Sequence, residues 1–467
     1  MGVLTAVGPV WTAAVSGFQL RDSVILSAGT ALLVCAADAP PAGSSVLRFL
    51  VLDTTTGQVV HQFDWTLPAI TFLGGQYAAS FYRLDDATAA ICQQLTGGVA
   101  AVGTVSIDGA ITAATVPSYP VGSMVHDKSA GAWAWFDPDA RTFTRMYWTE
   151  YSHTVTTHAA PYYTAYGYTV DLSGAILESW PVTVGQGVPV GADIAFPQYY
   201  GTLMLPHALH GGAISAVIDA GSSFFTLTDN TGAALWRSPS YPGSNYGANA
   251  LIYQVDSGQA IAIIWSAWVP PGYDSRLFAQ YFTLNPFAPL GSTVDLGRNN
   301  DYSGTLDEAL AGWPVDVSRE FTTAARVLAA SFRGYGGRND PAGPASSVIG
   351  AIQNVPNGVR GQVERVNVEL GVGSYRFQRI TPAVASLGDL VLFAGRAQED
   401  YPGTAVHNYA QLYRIGYGIP PLRQLQRDDG LGAAGHSRLN VASTLPNQTS
   451  SVNAARAPRL GERNNYV

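Results

Sequence analysis

The sequence predicts an all-β chain, a β-propeller of about seven four-stranded blades, ending in an extended C-terminal arm. Three observations predict it. The composition favours strands and turns, a strand–Asx–Gly–strand unit recurs along the chain, and four short strands can be counted in the second and fifth of those units.

Of the 467 residues, 47% are apolar and only 12% are charged, with 50 Gly, 28 Pro and 24 Tyr. A typical globular domain has about 25% charged residues. Polarity carried by Thr, Ser, Asn and Tyr, together with abundant Gly and Pro, suits short strands joined by tight turns. Closed all-β architectures run long as single units, so the length does not demand several domains.

The repeat is an apolar strand that runs into Asp or Asn, then Gly, then another short strand. The best copies are Phe49 to Asp53 with Gly57, Val102 to Asp108 with Gly109, Tyr166 to Asp171 with Gly174, and Phe224 to Asp229 with Gly232. Fainter copies lie at Asn285, at Asn354 with Gly358, and at Leu412 to Ile415 with Gly416. Taken as markers, Asp53, Asp108, Asp171, Asp229, Asn285, Asn354 and Gly416 are spaced by 55, 63, 58, 56, 69 and 62 residues. An Asx side chain caps a hairpin turn and Gly accepts positive φ, which gives the pattern its physical reason.

Four strands can be counted within a unit. The second holds Gln76 to Arg83, Thr88 to Gln93, Val99 to Ile107 and Ala110 to Thr115; the fifth holds Ala250 to Val255, Gln259 to Trp268, Leu277 to Leu284 and Leu290 to Leu296. Four antiparallel strands per repeat of this length is a propeller blade. In the sixth unit, Thr305 to Ala311 and Arg319 to Leu328 are expected to form about two helical turns each, and Gly334 to Pro344 to be an insertion. The third unit stretches over Glu150 to Pro161. The propeller is expected over residues 1–418 and the arm over 419–467.

Cys35 and Cys92 are 57 residues apart, close to one period, each in an apolar run. Equivalent strands of neighbouring blades stand too far apart for a disulfide, so two free buried thiols are expected. A formal charge of −8 gives no overall electrostatic footprint for nucleic acid or an anionic membrane. The N-terminal region, with Trp11 and Arg21 among small and polar residues, has no basic start running into an unbroken apolar stretch. It is read as lacking a signal peptide, in a soluble chain without membrane insertion.

From Ile419 onward the alternating pattern fades. Residues 419–467 carry Arg423, Arg427, Arg438, Arg456, Arg459 and Arg463 against Asp428, Asp429 and Glu462, a net of +3 that leaves −11 for the rest. Such a segment buries too little apolar area to offset its own ordering entropy, so it is read either as a frayed tail or as an arm laid along an acidic neighbour. Its six arginines are the candidate docking residues.

Within this arm the run Pro420, Pro421, Leu422, Arg423, Gln424, Leu425, Gln426, Arg427, Asp428, Asp429, Gly430, Leu431, Gly432 resembles the C-terminal ends of minor tail proteins from tailed bacteriophages of actinobacteria. The resemblance covers about a tenth of the chain. It implies a virion component of the tail or tail tip, present in several copies, contacting other virion tail proteins and assembled in the host cytoplasm. It brings no catalytic residues with it. The stretch Asp229 to Trp236 (Asp-Asn-Thr-Gly-Ala-Ala-Leu-Trp) is similar to the repeat of quinoprotein-type propellers, and its content is a capped turn with a Trp packed between blades.

The motifs of chemistry are not matched. No stretch fits the sialidase Asp box (Ser-x-Asp-x-Gly-x-Thr-Trp). Asp137, Asp139 and Glu150 could be nominated as a glycosidase carboxylate pair, but turn and rim roles account for them better. His153 with His158, and His207 with His210, lack metalloprotease spacing and a third ligand. Catalytic, cofactor and metal residues are therefore each read as none, and the chain as a non-enzyme. Aromatic side chains stand out instead: Trp148, Tyr151 and Tyr162 in the third unit, and Trp268 and Tyr273 in the fifth, are the candidate glycan or interface residues. The first reading is a rigid propeller scaffold for protein–protein contacts in a virion. The second is a receptor-binding propeller that recognises a host cell-surface glycan.

Overall fold

The computed structural model describes residues 3–11, 17–39, 41–68, 79–95, 99–117, 135–148, 163–184, 193–194, 202–204, 213–218, 224–229, 231–239, 250–255, 260–269, 274–298, 315–317, 327–333, 348–354, 363–368, 376–401 and 406–416. Among these residues all regular structure is strand, arranged in seven antiparallel sheets. The chain divides into a large compact unit, Thr5–Ile415, and a small one of Met1–Leu4 with Gly416–Val467, of which only Val3, Leu4 and Gly416 are described. The arm and its six arginines lie outside the described residues.

Six sheets are built up and down from consecutive strands. Sheet 1 is β2 (Phe18–Ser27), β3 (Thr30–Ala37), β4 (Ser44–Asp53) and β5 (Gln58–Pro68), and sheet 2 is β6 (Ala79–Arg83), β7 (Thr88–Leu95), β8 (Val99–Ser106) and β9 (Ile111–Pro117). Sheet 3 is β10 (Trp135–Asp137), β11 (Thr142–Trp148), β12 (Tyr163–Asp171) and β13 (Ile176–Val184). Sheet 4 has β14 (Asp193–Ile194), β16 (Ala213–Ile218), β17 (Phe225–Asp229) and β18 (Ala234–Arg237), with β15 (Thr202–Met204) as a fifth strand on β16. Sheet 5 is β19 (Ala250–Val255), β20 (Ala260–Val269), β21 (Asp274–Leu284) and β22 (Phe287–Arg298). Sheet 6 is β23 (Val315–Val317), β24 (Val327–Arg333), β25 (Val348–Asn354) and β26 (Val363–Val368).

Sheet 7 breaks the pattern. Its consecutive strands are only β27 (Arg376–Leu387), β28 (Leu390–Tyr401) and β29 (Val406–Gly416), and the fourth place, beside β29, is taken by β1 (Val3–Trp11) from the other end of the chain. A strand there pairs an edge that would otherwise stand open.

Most successive sheets pack against one another in chain order. Leu32, Val34, Phe49 and Val51 of sheet 1 share a buried cluster with Phe81, Ile91 and Val105 of sheet 2. Tyr82, Cys92 and Val102 of sheet 2 do the same with Phe136, Phe143 and Tyr168 of sheet 3. Sheet 3 contacts sheet 4, sheet 4 contacts sheet 5, and sheet 6 contacts sheet 7. The decisive contact is the return: Leu20, Ile25, Leu33 and Leu50 of sheet 1 are buried against Leu390, Leu392 and Leu412 of sheet 7, and Val7 of β1 packs on the same cluster. The fold is a β-propeller, and each sheet is a blade.

First strands lie innermost and fourth strands outermost. β2 is largely buried and touches β6 and β27 of the neighbouring blades, whereas β5 is exposed along most of its length. At the junction of blades 7 and 1 the inner edge of β2 is satisfied by a side chain. Asn408 of β29, 3% exposed, donates through Nδ2 to the Phe18 carbonyl (2.9 Å) and accepts from the Leu20 N–H through Oδ1 (2.8 Å).

Cys35 and Cys92 are free, buried, and placed on the second strands of blades 1 and 2. Burial pushes the Cys35 thiol up to about 12 against the opposing pull of Arg48 and Arg21, and burial likewise raises Cys92. Trp236 packs edge-on against Phe282, ring centroids 5.0 Å apart, so the expected Trp contact joins blades 4 and 5. One expectation needs correction: Val327 and Leu328, read as the end of a helical turn, begin strand β24, paired with Asn354 and Gln353 of β25. Cross-strand pairing overrides a helix-permissive local sequence there. The rest of that stretch, residues 319–326, and Thr305 to Ala311 lie outside the described residues.

Candidate interaction surface

In an up-and-down blade the connections between strands one and two and between strands three and four emerge at the same end. Hydrogen bonds show this directly: the Thr54 N–H donates to the Gly29 carbonyl (3.1 Å), and the Ile107 N–H to the Ala87 carbonyl (3.0 Å). That end is rich in carboxylates. Asp53, Asp108, Asp171 and Asp229 lie at the three–four turns, and Asp85, Asp86, Asp137, Asp139 and Asp389 at the one–two turns.

Most of these carboxylates have a structural task. Asp171 Oδ1 accepts from the N–H groups of Ser173 (2.9 Å) and Ala175 (2.9 Å) and from the Ser173 hydroxyl (2.7 Å). Asp229 repeats that geometry with the Thr231 N–H (2.8 Å), the Ala233 N–H (3.0 Å) and the Thr231 hydroxyl (2.6 Å). Asp53 accepts from the Thr55 N–H (2.7 Å) and Asp108 from the Ala110 N–H (3.0 Å). Asp137, nominated above beside Asp139, caps its own turn through the N–H groups of Asp139 and Ala140. Asp86 pairs with Arg83 (2.6 Å) and Asp389 with Arg414 (2.7 Å).

The hydrogen bonds that Asp53, Asp108 and Asp171 accept hold their carboxyls below the ordinary 3.8, led by the Thr55 N–H, the Ala110 N–H and the Ser173 hydroxyl respectively. A depressed folded-state pKa stabilises above the unfolded value and loses that contribution as pH falls through the folded one. The melting temperature should therefore drop as pH falls below about 4. Asp171→Asn, which keeps a capping oxygen but cannot titrate, should make the drop shallower, as thermal melts between pH 5 and pH 2.5 would read; an unchanged slope would contradict the assignment.

Two of the turn glycines, Gly109 and Gly174, also dock on the preceding blade. Gly174 has φ +88°, and a Cβ there would stand 2.5 Å from the Ala114 Cβ of β9; at Gly109 it would stand 3.5 Å from the Phe63 ring of β5. The turn tip of one blade thus rests on the outer strand of the one before.

Just beyond these turns the outer strands expose apolar side chains. Among the described residues the exposed large hydrophobics are Val59 (36%), Val60 (63%), Ile176 (49%) and Leu177 (58%). They occupy matching positions, two and three residues after Gly57 and Gly174, on β5 and β13. Both strands are outer edges of their blades. Sequence reasoning missed them, though a signal existed: adjacent residues on a strand point to opposite faces, so Val-Val or Ile-Leu must turn one side chain outward.

Of the aromatic candidates, Trp148 is at the last position of β11, paired with Ala165, and Trp268 at the second-last of β20, paired with Ser275. Both sit at the end of a second strand, opposite the acidic turns. Tyr151, Tyr162 and Tyr273 lie outside the described residues, as do Glu150 and the four paired histidines. Among the described residues no cluster of three or more His, Cys, Asp or Glu is placed to hold a metal ion, and no helix is long and apolar enough to cross a membrane.

No family model matches the chain, and no curated protein matches it. Solved structures similar to it include the β-propeller domain of the Trilobed protease from Pyrococcus furiosus, at 8% identity over 84% of this chain and 93% of that one, TM-score 0.36. Another is the acylaminoacyl peptidase of Pyrococcus horikoshii, at 8% identity over 82% of this chain and 50% of that one, TM-score 0.37. The chain thus matches half the length of that peptidase. A third is the WD40 domain of SCAP from fission yeast, at 11% identity over 89% and 95%, TM-score 0.37.

Proposed function

We propose that the chain is a non-enzymatic structural component of a virion, a minor tail or tail-tip protein of a tailed bacteriophage, in which the propeller is a rigid scaffold for protein–protein contacts. The observation that carries this reading is the segregation of charge. A body of net −11, with carboxylates gathered at one end of its blades, is joined to a segment of net +3. Opposite potentials of this kind steer partners together and fix their register. The paired apolar exposures on β5 and β13 support it further, because apolar residues beside free strand edges are contact surface. The turn carboxylates Asp53, Asp85, Asp86, Asp108, Asp137, Asp171, Asp229 and Asp389 support the non-enzymatic part, since each of them is committed to a cap or an ion pair. The resemblance of Pro420 to Gly432 to actinobacteriophage minor tail proteins supplies the virion context.

Removing residues 419–467 should block incorporation into particles while leaving the circular dichroism spectrum and melting temperature of the body unchanged. Normal incorporation of the truncated chain would overturn the reading.

A glycan-binding role is the second reading. Trp148 and Trp268 support it by their matching placement at second-strand ends of blades 3 and 5. Binding to isolated host cell wall that is lost in Trp148→Ala or Trp268→Ala would favour it.

A further inference from the structure

We propose that the crevice where the first strands of blades 7, 1 and 2 meet is a binding site for an ordered water molecule, held by the Ser23 hydroxyl. Three observations lead there. The first is topological: β2, β6 and β27 each pair with their own blade on one side only, so their inner edges have no strand partner. At the start of β2 the Asn408 amide meets that need for Phe18 and Leu20. Beyond Leu20, from Ser23 to Ile25, β2 runs along a crevice instead.

The second observation is the crevice itself. It is a partly open space of about 250 Å3, open solvent included, between Ser23, Val24 and Ile25 of β2, Phe81, Tyr82 and Arg83 of β6, and Val384, Ala385 and Ser386 of β27. Its enclosed part has room for one water molecule. The walls are mostly apolar, and Arg83 is committed elsewhere, through Nε to the Leu26 carbonyl (2.6 Å) and through Nη2 to Asp86 (2.6 Å). The site is therefore electrically balanced and suits a small neutral ligand.

The third observation is Ser23. It is 4% exposed, its N–H donates to Asp22 Oδ1 (2.8 Å), and its Oγ is buried without a protein hydrogen-bond partner. Ser23 pairs with Leu33, whose side chain belongs to the cluster between blades 1 and 7, so the hydroxyl lies on the side of β2 that meets β27. A buried hydroxyl left unpaired is unfavourable, and the unpaired backbone edges of β2, β6 and β27 beside it offer the further polar partners that an ordered water in a mostly apolar crevice needs. A water there bonded to Ser23 Oγ and to the free strand edges continues, by solvent, the link between blades 7 and 1 that Asn408 makes by side chain.

The test is a crystal structure at a resolution that shows ordered water, for the wild type, Ser23→Ala and Ser23→Thr. The expected result is a density peak about 2.5–3.0 Å from the Ser23 oxygen in the wild type, kept in Ser23→Thr and lost or displaced in Ser23→Ala. Thermal melts should follow the same order, with Ser23→Ala below the other two. A wild-type map without that peak, or one in which Ser23 Oγ bonds to a protein atom, overturns the proposal. So does a peak that stays in place in Ser23→Ala.

Discussion

Gly103→Ala is expected to destabilise the propeller by about 3 kcal/mol or more, at the upper end of what overpacking a well-filled site costs. Gly103 lies on β8 opposite Ala113 of β9, and a Cβ there would overlap the Thr112 carbonyl oxygen and come within 2.6 Å of the Ala113 Cα. Both obstacles are backbone. A flexible side chain can swing away, but a carbonyl inside a ladder moves only if its strand does, so the added methyl would force β8 and β9 apart. The matched control is Gly29→Ala: its nearest neighbour would be Ser27 Oγ at 3.9 Å, and its backbone is not in the left-handed region. A comparison of unfolding midpoints in urea should show Gly103→Ala strongly lowered and Gly29→Ala within about 0.5 kcal/mol of the wild type. Equal midpoints for the two variants would contradict the pairing of β8 with β9.

The second large effect is expected at Asn408. Replacing it by alanine removes two hydrogen bonds in a buried place and leaves the Leu20 N–H and the Phe18 carbonyl without their acceptor and donor. Each unsatisfied buried group costs about 1–3 kcal/mol, so Asn408→Ala should lose about 2–6 kcal/mol. Asn408→Asp separates the two bonds. It keeps an acceptor for the Leu20 N–H but sets a carboxylate oxygen against the Phe18 carbonyl, so it should not restore stability at neutral pH. Urea midpoints of the three proteins check this. A near-neutral Asn408→Ala would mean that blades 7 and 1 do not meet through this amide.

How far the sequence reveals this fold depends on how local the relevant chemistry is. The seven markers, Asp53 through Gly416, all fall at or within two residues of the end of the third strand of their blade. They were legible because a tight turn must be made by residues that tolerate it. The faintest marker, Gly416, has a structural reason for being faint: no turn into a fourth strand follows β29, since β1 fills that place. That substitution could not be read, because pairing between strands some 400 residues apart leaves no trace in either segment. Asn408 was invisible for the same reason. It is one of several polar residues on its strand, with His407, Gln411 and Arg414, and only the arrival of β2 gives it a purpose.

The candidate surface was legible in part. Asp137 and Asp139 were read as turn residues, and Asp137 is one. Trp148 and Trp268 were grouped by composition, while their shared placement at second-strand ends needed the register. Val59, Val60, Ile176 and Leu177 were passed over as ordinary strand residues, because in an outer strand the sequence does not show which face is covered.

The claim on which the account turns is that the first described strand is the last strand of the seventh blade. Hydrogen–deuterium exchange across the native chain measures this most directly. If β1 pairs with β29, the amides of Thr5 to Trp11 should exchange on the slow timescale of β28 and β29 and become fast together with them when Asn408→Ala loosens the junction. Exchange of Thr5 to Trp11 within seconds in a chain whose β28 and β29 remain protected would contradict it.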